Sequence, residues 1–217
     1  NFHFHFGNLS IYAERNVKFL GLNFDNELVW DKHLDFVVKK VTSGGFALLR
    51  LKDFMTEKNL ITVYYALVYP YLNYGVSLWG QAVNNNRVFI SQKRIIRIIF
   101  KLKSKESCKS YFRSFRILTF PCIYILKTLL SIKINEDKLL KNHDYHNYDT
   151  PNASRFSIDK HRTSAYEKTP LYAGIKLFNS LPGSTRSLPL KQFKPKVKSF
   201  LTDKCFYSVS EFFNYKF

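Results

Sequence analysis

The chain has 217 residues and is 46% hydrophobic, which suffices to bury the core of one large domain or two small ones and excludes disorder along its whole length. Lys and Arg number 34 against 16 acids, a formal charge of +18 that attracts polyanions, chiefly nucleic acid or an anionic membrane surface. Three well-separated cysteines argue against a disulfide scaffold. No basic-then-apolar leader and no run of about 18 uncharged apolar residues is present, so neither secretion nor a membrane span is indicated. The expected location is therefore intracellular, in cytoplasm, nucleus or both.

Residues 1–24 alternate in character, with Phe2, Phe4 and Phe6 on one face and His3 and His5 on the other. With the Gly7-Asn8 turn and the apolar run Val17 to Phe24, this reads as two or three antiparallel strands. The first residue is not Met and falls in mid-pattern, as in a fragment of a longer protein.

From Trp30 the period becomes helical through Leu34, Val37, Val38 and Val41, with Gly44-Gly45 expected to weaken or bend the helix before Leu48, Leu49 and Leu51. Thr56 reads as the N-cap of a further helix, which Pro70 should kink and which continues to Trp79-Gly80. Arg87 to Lys103 is the most informative helix. At 100° per residue Arg87, Arg94, Arg97 and Lys101 fall in one arc, with Lys93 at its edge and Ile90 inside it. Val88, Phe89, Ile95, Ile96, Ile98, Ile99 and Leu102 are assigned to the opposite, core side.

Ser107 to Phe115 reads as a short helix and Pro121 to Ile134 as a longer one. Residues 135–152 are a polar linker, 153–170 a short hairpin or extended arm, Tyr172 to Leu181 a helix stopped by Pro182-Gly183, and Leu188 to Leu201 a last helix interrupted by Pro195. The fold class is mainly α with a small antiparallel β segment at the N terminus (α+β). The expected divisions are 1–29 (β segment), 30–134 (helical bundle), 135–152 (linker) and 153–217 (C-terminal helical region).

The charge is not spread evenly. Residues 86–116 carry 10 basic and 1 acidic side chains, a net +9, which is half the total on 31 residues. A solvated surface mixes its signs; this one does not. A second cluster comprises Arg186, Lys191, Lys194, Lys196, Lys198 and Lys204, with Asp203 as its one acid. Helical faces of this kind track phosphates. Arg87, Lys93, Arg94, Arg97 and Lys101 are the first candidate contacts, and Lys194, Lys196 and Lys198 the second. Tyr64, Tyr65 and Trp79 could stack on bases, but their helical spacing favours a core role.

Signals for catalysis are missing. Two-metal chemistry needs adjacent carboxylates, and no Asp-Asp pair occurs. Glu136-Asp137 reads as a solvated helix end, and Asp25, Glu27, Asp31 and Asp35 as caps around a helix start. His143 and His146 are three apart but lack a cysteine pair, so a surface role is preferred over zinc. No phosphate loop or serine-nucleophile signature appears. No catalytic residue, metal site or cofactor is assigned.

Several segments nonetheless resemble one family in order. Phe19-Leu20-Gly21-Leu22 followed by Asp25, Leu28, Trp30, His33 and Leu34 is one; Tyr65 to Gly80 (YALVYPYLNYGVSLWG) is the next. Gln92-Lys93-Arg94 with Arg97-Ile98-Ile99, then His161-Arg162-Thr163 with Lys176 to Pro182 (KLFNSLP), and finally Phe193 to Leu201 complete the series. The series resembles non-LTR retrotransposon reverse transcriptases, particularly the jockey-type elements of insects, over nearly the whole chain. Departures are Pro151 where the family often has Arg, Phe178 for the usual Trp, and Pro195 inside the last helix.

The resemblance implies a helical thumb and post-thumb region that grips template and primer. The family's fingers and palm, with the Tyr-x-Asp-Asp site for Mg²⁺, would lie before residue 1, so this chain alone is expected to be inactive as an RNA-directed DNA polymerase. Expected partners are RNA or single-stranded DNA, a template-primer duplex, and the palm and fingers portion. Alternatives are a stand-alone nucleic-acid-binding or assembly module derived from a mobile element, or a remnant without function. A peripheral membrane role is disfavoured, because the apolar arc of the basic helix has partners enough in the chain to be buried.

Overall fold

The computed structural model describes residues 3–7, 9–12, 14–144, 152–167 and 169–217. The fold is mainly helical with two separate antiparallel hairpins at its start, the expected α+β class. β1 (His3–Phe6) pairs with β2 (Leu9–Tyr12), Phe4 opposite Ile11 and Phe6 opposite Leu9. β3 (Asn16–Phe19) pairs with β4 (Leu22–Asp25) across a two-residue turn in which Leu20 (φ 46°) and Gly21 (φ 81°) are both left-handed. Such a turn matches the twist of the flanking strands and suits Gly, whereas a leucine there costs about 1 kcal/mol. The Tyr74 hydroxyl donates to the Leu20 carbonyl and ties the turn to the helical body.

α1 (Asp31–Leu51) begins where the Asp25 carboxylate accepts the backbone N–H groups of Val29 and Trp30, at 2.8 and 2.7 Å. Burial pushes the Asp25 carboxyl up, but these donations outweigh it and hold it below the ordinary carboxylate value. Gly44-Gly45 do not break α1, which runs through them. Their missing side chains let neighbours approach: a Cβ on Gly44 would meet Val68 Cγ2 at 2.8 Å, and one on Gly45 would meet Ile95 Cγ1 at 3.1 Å.

α2 (Glu57–Leu67) starts at the expected cap, with Thr56 Oγ1 accepting the Asn59 N–H. The single kinked helix expected through Pro70 is instead three pieces: α2, α3 (Tyr69–Asn73) with Pro70 in its first turn, and α4 (Val76–Trp79). Proline removes a donor where α2 would continue, and Gly75 at φ 60° turns the chain again before α4.

α5 (Asn86–Ile99) ends four residues before the expected Lys103. The Leu102 N–H returns to the Arg97 carbonyl at 2.9 Å while Lys101 adopts φ 53°, the paired-bond ending in which a left-handed residue follows the cap. α6 (Lys109–Ser114) closes in the same way on Arg116, also at φ 53°. α7 (Phe120–Ile134) is apolar all round, as a helix in the centre of a core should be. It packs against α3, α4 and α5 and also against the later helices α9 (Pro170–Asn179), α11 (Leu190–Lys204) and α12 (Val209–Phe213).

Between α7 and α9 the chain makes two 3₁₀ turns, Glu136–Lys138 and Asn142–Asp144, and a short helix α8 (Ser164–Glu167). Among the described residues 153–170 form no hairpin with themselves; Phe156 bridges back to Lys141. α10 (Gly183–Arg186) precedes α11, which continues through Pro195 to Lys204. Phe193, Val197 and Leu201 are buried on one face of α11, and that anchoring outweighs the one backbone hydrogen bond proline removes. One hydrophobic cluster runs from Leu22 to Phe212.

Candidate nucleic-acid interface

α5 buries Val88, Phe89, Ile95, Ile96 and Ile99 and turns its basic side outward. Beside it the end of α1 leaves an open groove of about 700 Å³. Lys93, Arg94, Arg97 and Lys101 line this groove together, so four of the five first candidates meet on one surface. Lys52, from the end of α1, adds a fifth cation.

The floor is apolar: Ile90, Ile98 and Leu102 lie between the charged groups. The sequence placed Ile98 and Leu102 on the core side. Ile98 is four residues from Arg94 and therefore shares its helical face. Leu102 lies beyond the end of the helix, where helical spacing no longer applies.

The five cations differ in how they are held. Arg97 Nε donates to the Glu106 carbonyl at 3.1 Å, which fixes the guanidinium against the 100–108 loop. Lys93 Nζ sits 4.7 Å from the Phe89 ring centroid and 5.6 Å from that of Tyr207, a cation–π cradle that restricts the ammonium. Lys101 reaches Asp53 at 3.3 Å. Arg94 is exposed and forms no ion pair with a described residue.

Arg87 does not line the groove, since its Nη2 is paired with the Asp35 carboxylate of α1. Phe54, two residues beyond Lys52, is 86% exposed; sequence reading passed over both because the loop after α1 has no periodicity to reveal it.

Tyr64 and Trp79 are buried, in line with the core role. Tyr65 stays 40% exposed, in ring contact with Tyr64 and Tyr69. The Trp79 indole donates to the Tyr74 carbonyl at 2.9 Å and lies against His33 and Phe120. Cys108, beside the groove, has its thiol raised by burial, with Arg97 and Lys93 only partly opposing that, so it remains a protonated core residue.

The second cluster is less focused. Lys194, Lys196 and Lys198 are all exposed and unpaired among the described residues, but they do not share one face. Lys191, Lys194 and Lys198 stand three and four apart on one side of α11, and Lys196 falls on the other. Asp203, the acid nearest them in sequence, is paired instead with Arg116 of the α6 end at 3.0 Å.

Four of the carboxylates that the sequence groups together already have partners. Asp25 accepts backbone N–H groups, Asp31 accepts from Asn84 Nδ2, Asp35 holds Arg87, and Glu136 holds the buried Lys133 ammonium at 2.7 Å. Among the described residues no three His, Cys, Asp or Glu gather as a metal site. His143 contacts the Ala153 carbonyl and Asp144, whereas His146 lies outside the described residues. No helix among the described residues is long and apolar enough to cross a membrane. Compared with known proteins, the chain matches no family model, no curated protein and no solved structure.

Proposed function

We propose that this chain binds RNA or single-stranded DNA in the groove between the end of α1 and α5, as the non-catalytic, template-primer-holding part of a reverse transcriptase of the non-LTR retrotransposon type. The observation that carries the reading is the convergence of Lys52, Lys93, Arg94, Arg97 and Lys101 on one open groove, with Lys101 alone of the five in an ion pair among the described residues. Cations fixed along a groove neutralise phosphates and release counterions, which supplies affinity without sequence reading. The apolar floor suits exposed bases better than a duplex, whose outer surface is sugar and phosphate.

The mobile-element part of the proposal rests on the order of the resembling segments. Its physical support is that the first two of them pack together through three contacts: Leu20 accepts from Tyr74, Leu22 lies against Gly75, and His33 packs edge-on against Trp79. A stand-alone binding module would use the same groove, and the continuous core from Leu22 to Phe212 favours a chain that folds without a partner. An upstream reading frame encoding Tyr-x-Asp-Asp separates the two readings in favour of the polymerase.

The binding test is fluorescence anisotropy with labelled single-stranded RNA, single-stranded DNA, a duplex with a single-stranded template overhang and a blunt duplex over a salt series. Single strands and the tailed duplex should bind more tightly than the blunt duplex, with affinity falling steeply as salt rises. Affinity insensitive to salt, or as tight for the blunt duplex as for the others, overturns the assignment.

A further inference from the structure

A second cavity, of about 580 Å³, opens where the segment around Arg155 meets the junction of α9 and α10. Arg155, Lys176 and Arg186 line it, together with Ile158, Ser180 and Phe217; no Asp or Glu side chain does. None of these three cations forms a salt bridge with a described residue. Three cationic side chains around one opening, with no acidic side chain among them, repel one another until an anion enters.

The walls are fixed rather than loose. Asn179 of α9 bonds Phe156 in both directions, donating to its carbonyl at 2.8 Å and accepting its N–H at 3.0 Å, and so pins the residue next to Arg155. Arg186 Nη1 donates to the Ser154 carbonyl at 3.1 Å, and the Arg186 carbonyl accepts from the buried Lys133 ammonium at 3.0 Å. Within this frame Arg186 Nε is buried and has no hydrogen-bond partner. Desolvation, and after it the charge of Arg155, disfavour the charged form of Arg186, yet a guanidinium keeps its proton in proteins. The site therefore holds an unrelieved positive charge with a donor to spare.

We infer that this cavity binds a phosphate monoester carried on a nucleotide, gripped by Arg155 and Arg186, with Lys176 at its edge. Guanidinium groups suit phosphate because their planar donors match its oxygens in pairs. The cavity exceeds what inorganic phosphate fills and falls in the range of small-ligand pockets, about 300–1,000 Å³. Ile158 and Phe217 give it apolar wall for a base. Two sources present this chemistry, a free mononucleotide and the 5′-phosphate of a strand. The inference does not depend on the α5 groove.

The experiment titrates AMP into the purified chain by calorimetry, using wild type, Arg155→Ala and, as a control of equal charge change, the exposed Lys39→Ala on α1. Saturable binding weakened at least fivefold by Arg155→Ala and unchanged by Lys39→Ala is the expected result. No saturable binding, or equal weakening by both variants, overturns the inference, as does an Arg155→Ala affinity equal to wild type. Arg186→Ala is read only alongside its thermal unfolding, because Arg186 also anchors Ser154; Arg155→Ala decides the matter. A second comparison uses one oligonucleotide with a 5′-phosphate or a 5′-hydroxyl. Preference for the phosphorylated strand in wild type but not in Arg155→Ala makes the strand end the source. AMP binding with no such preference makes it the free nucleotide.

Discussion

The Lys101 ammonium lies 3.3 Å from the Asp53 carboxylate, joining the loop after α1 to the left-handed residue that ends α5. Both side chains are well exposed, so the pair contributes at most about 1 kcal/mol to stability. It does, however, occupy one groove cation with an acid that a phosphate must displace. Asp53→Asn should therefore leave the unfolding midpoint in urea unchanged while raising affinity for single-stranded RNA a few-fold at low salt. Weaker binding in this variant would mean that Lys101 needs Asp53 to hold its position.

Replacing Arg94, Arg97 and Lys101 together with Ala removes three phosphate contacts. Each contact to a single strand contributes about 0.7 to the slope of log affinity against log salt, so the slope should flatten by about 2. Arg87→Ala should change the slope much less than Arg94→Ala, because Asp35 already neutralises Arg87 outside the groove. A slope unchanged in the triple variant would remove α5 from the interface.

The basic side of α5 could be read from sequence because helical spacing alone sorts Arg94 and Arg97 from Ile95, Ile96 and Ile99. Lys52 could not, since it reaches the groove through the packing of α1 on α5, which no local pattern encodes. The end of α5 was misplaced because a lysine, not a glycine, takes the left-handed position at residue 101. α12 was missed although its signature was present: Ser208 Oγ accepts the Glu211 N–H at 3.1 Å, the serine-to-glutamate spacing that marks a helix start. The Gly44-Gly45 pair misled in the other direction, because close helix packing and helix breaking look alike in a sequence.

Gln92 lies inside the core, not on the basic side of its helix. Its amide donates to the Tyr64 hydroxyl and the Leu118 carbonyl, both at 2.9 Å, and accepts the Phe120 N–H at 2.7 Å. Gln92→Leu keeps the volume but strands those partners, at about 1–3 kcal/mol for each buried group left unpaired. The variant should lose at least about 3 kcal/mol in urea unfolding, and a loss under 1 kcal/mol would show that the three groups find other partners.

Gly80 marks the closest approach of α4 to α7. A Cβ there would fall 2.4 Å from Tyr124 Cδ2 and 2.5 Å from the Val76 carbonyl oxygen. Neither can yield easily, because Tyr124 is buried and the carbonyl belongs to the backbone of α4. Gly80→Ala should destabilise by about 1–3 kcal/mol, the usual cost of overpacking. Gly183→Ala, whose nearest neighbour is the Arg186 guanidinium at 3.9 Å, should be nearly neutral and serves as the comparison in the same thermal scan.

His33 gives the fold a pH dependence whose sign can be stated. The ring is buried among Trp30, Phe36 and Trp79, its Nδ1 accepts the Asn23 N–H at 3.4 Å, and its Nε2 has no partner. Burial lowers its pKa from the ordinary 6.5, so below that pH the unfolded chain takes up a proton that the folded chain resists. Stability should be full above about pH 6.5 and fall as the solution is acidified toward the folded-state value. His161 acts oppositely: its hydrogen bond to Glu167 raises its pKa, so its contribution is present at lower pH and is lost as pH rises through the folded value. The Asp25 carboxyl, held below its ordinary value, loses its contribution only at more acidic pH. Urea unfolding of wild type and His33→Phe at several values between about pH 7 and pH 5 separates these groups, since only the His33 contribution differs between the two proteins. Wild type should weaken relative to His33→Phe as pH falls; parallel curves would mean that water reaches Nε2 and lets the folded ring protonate freely.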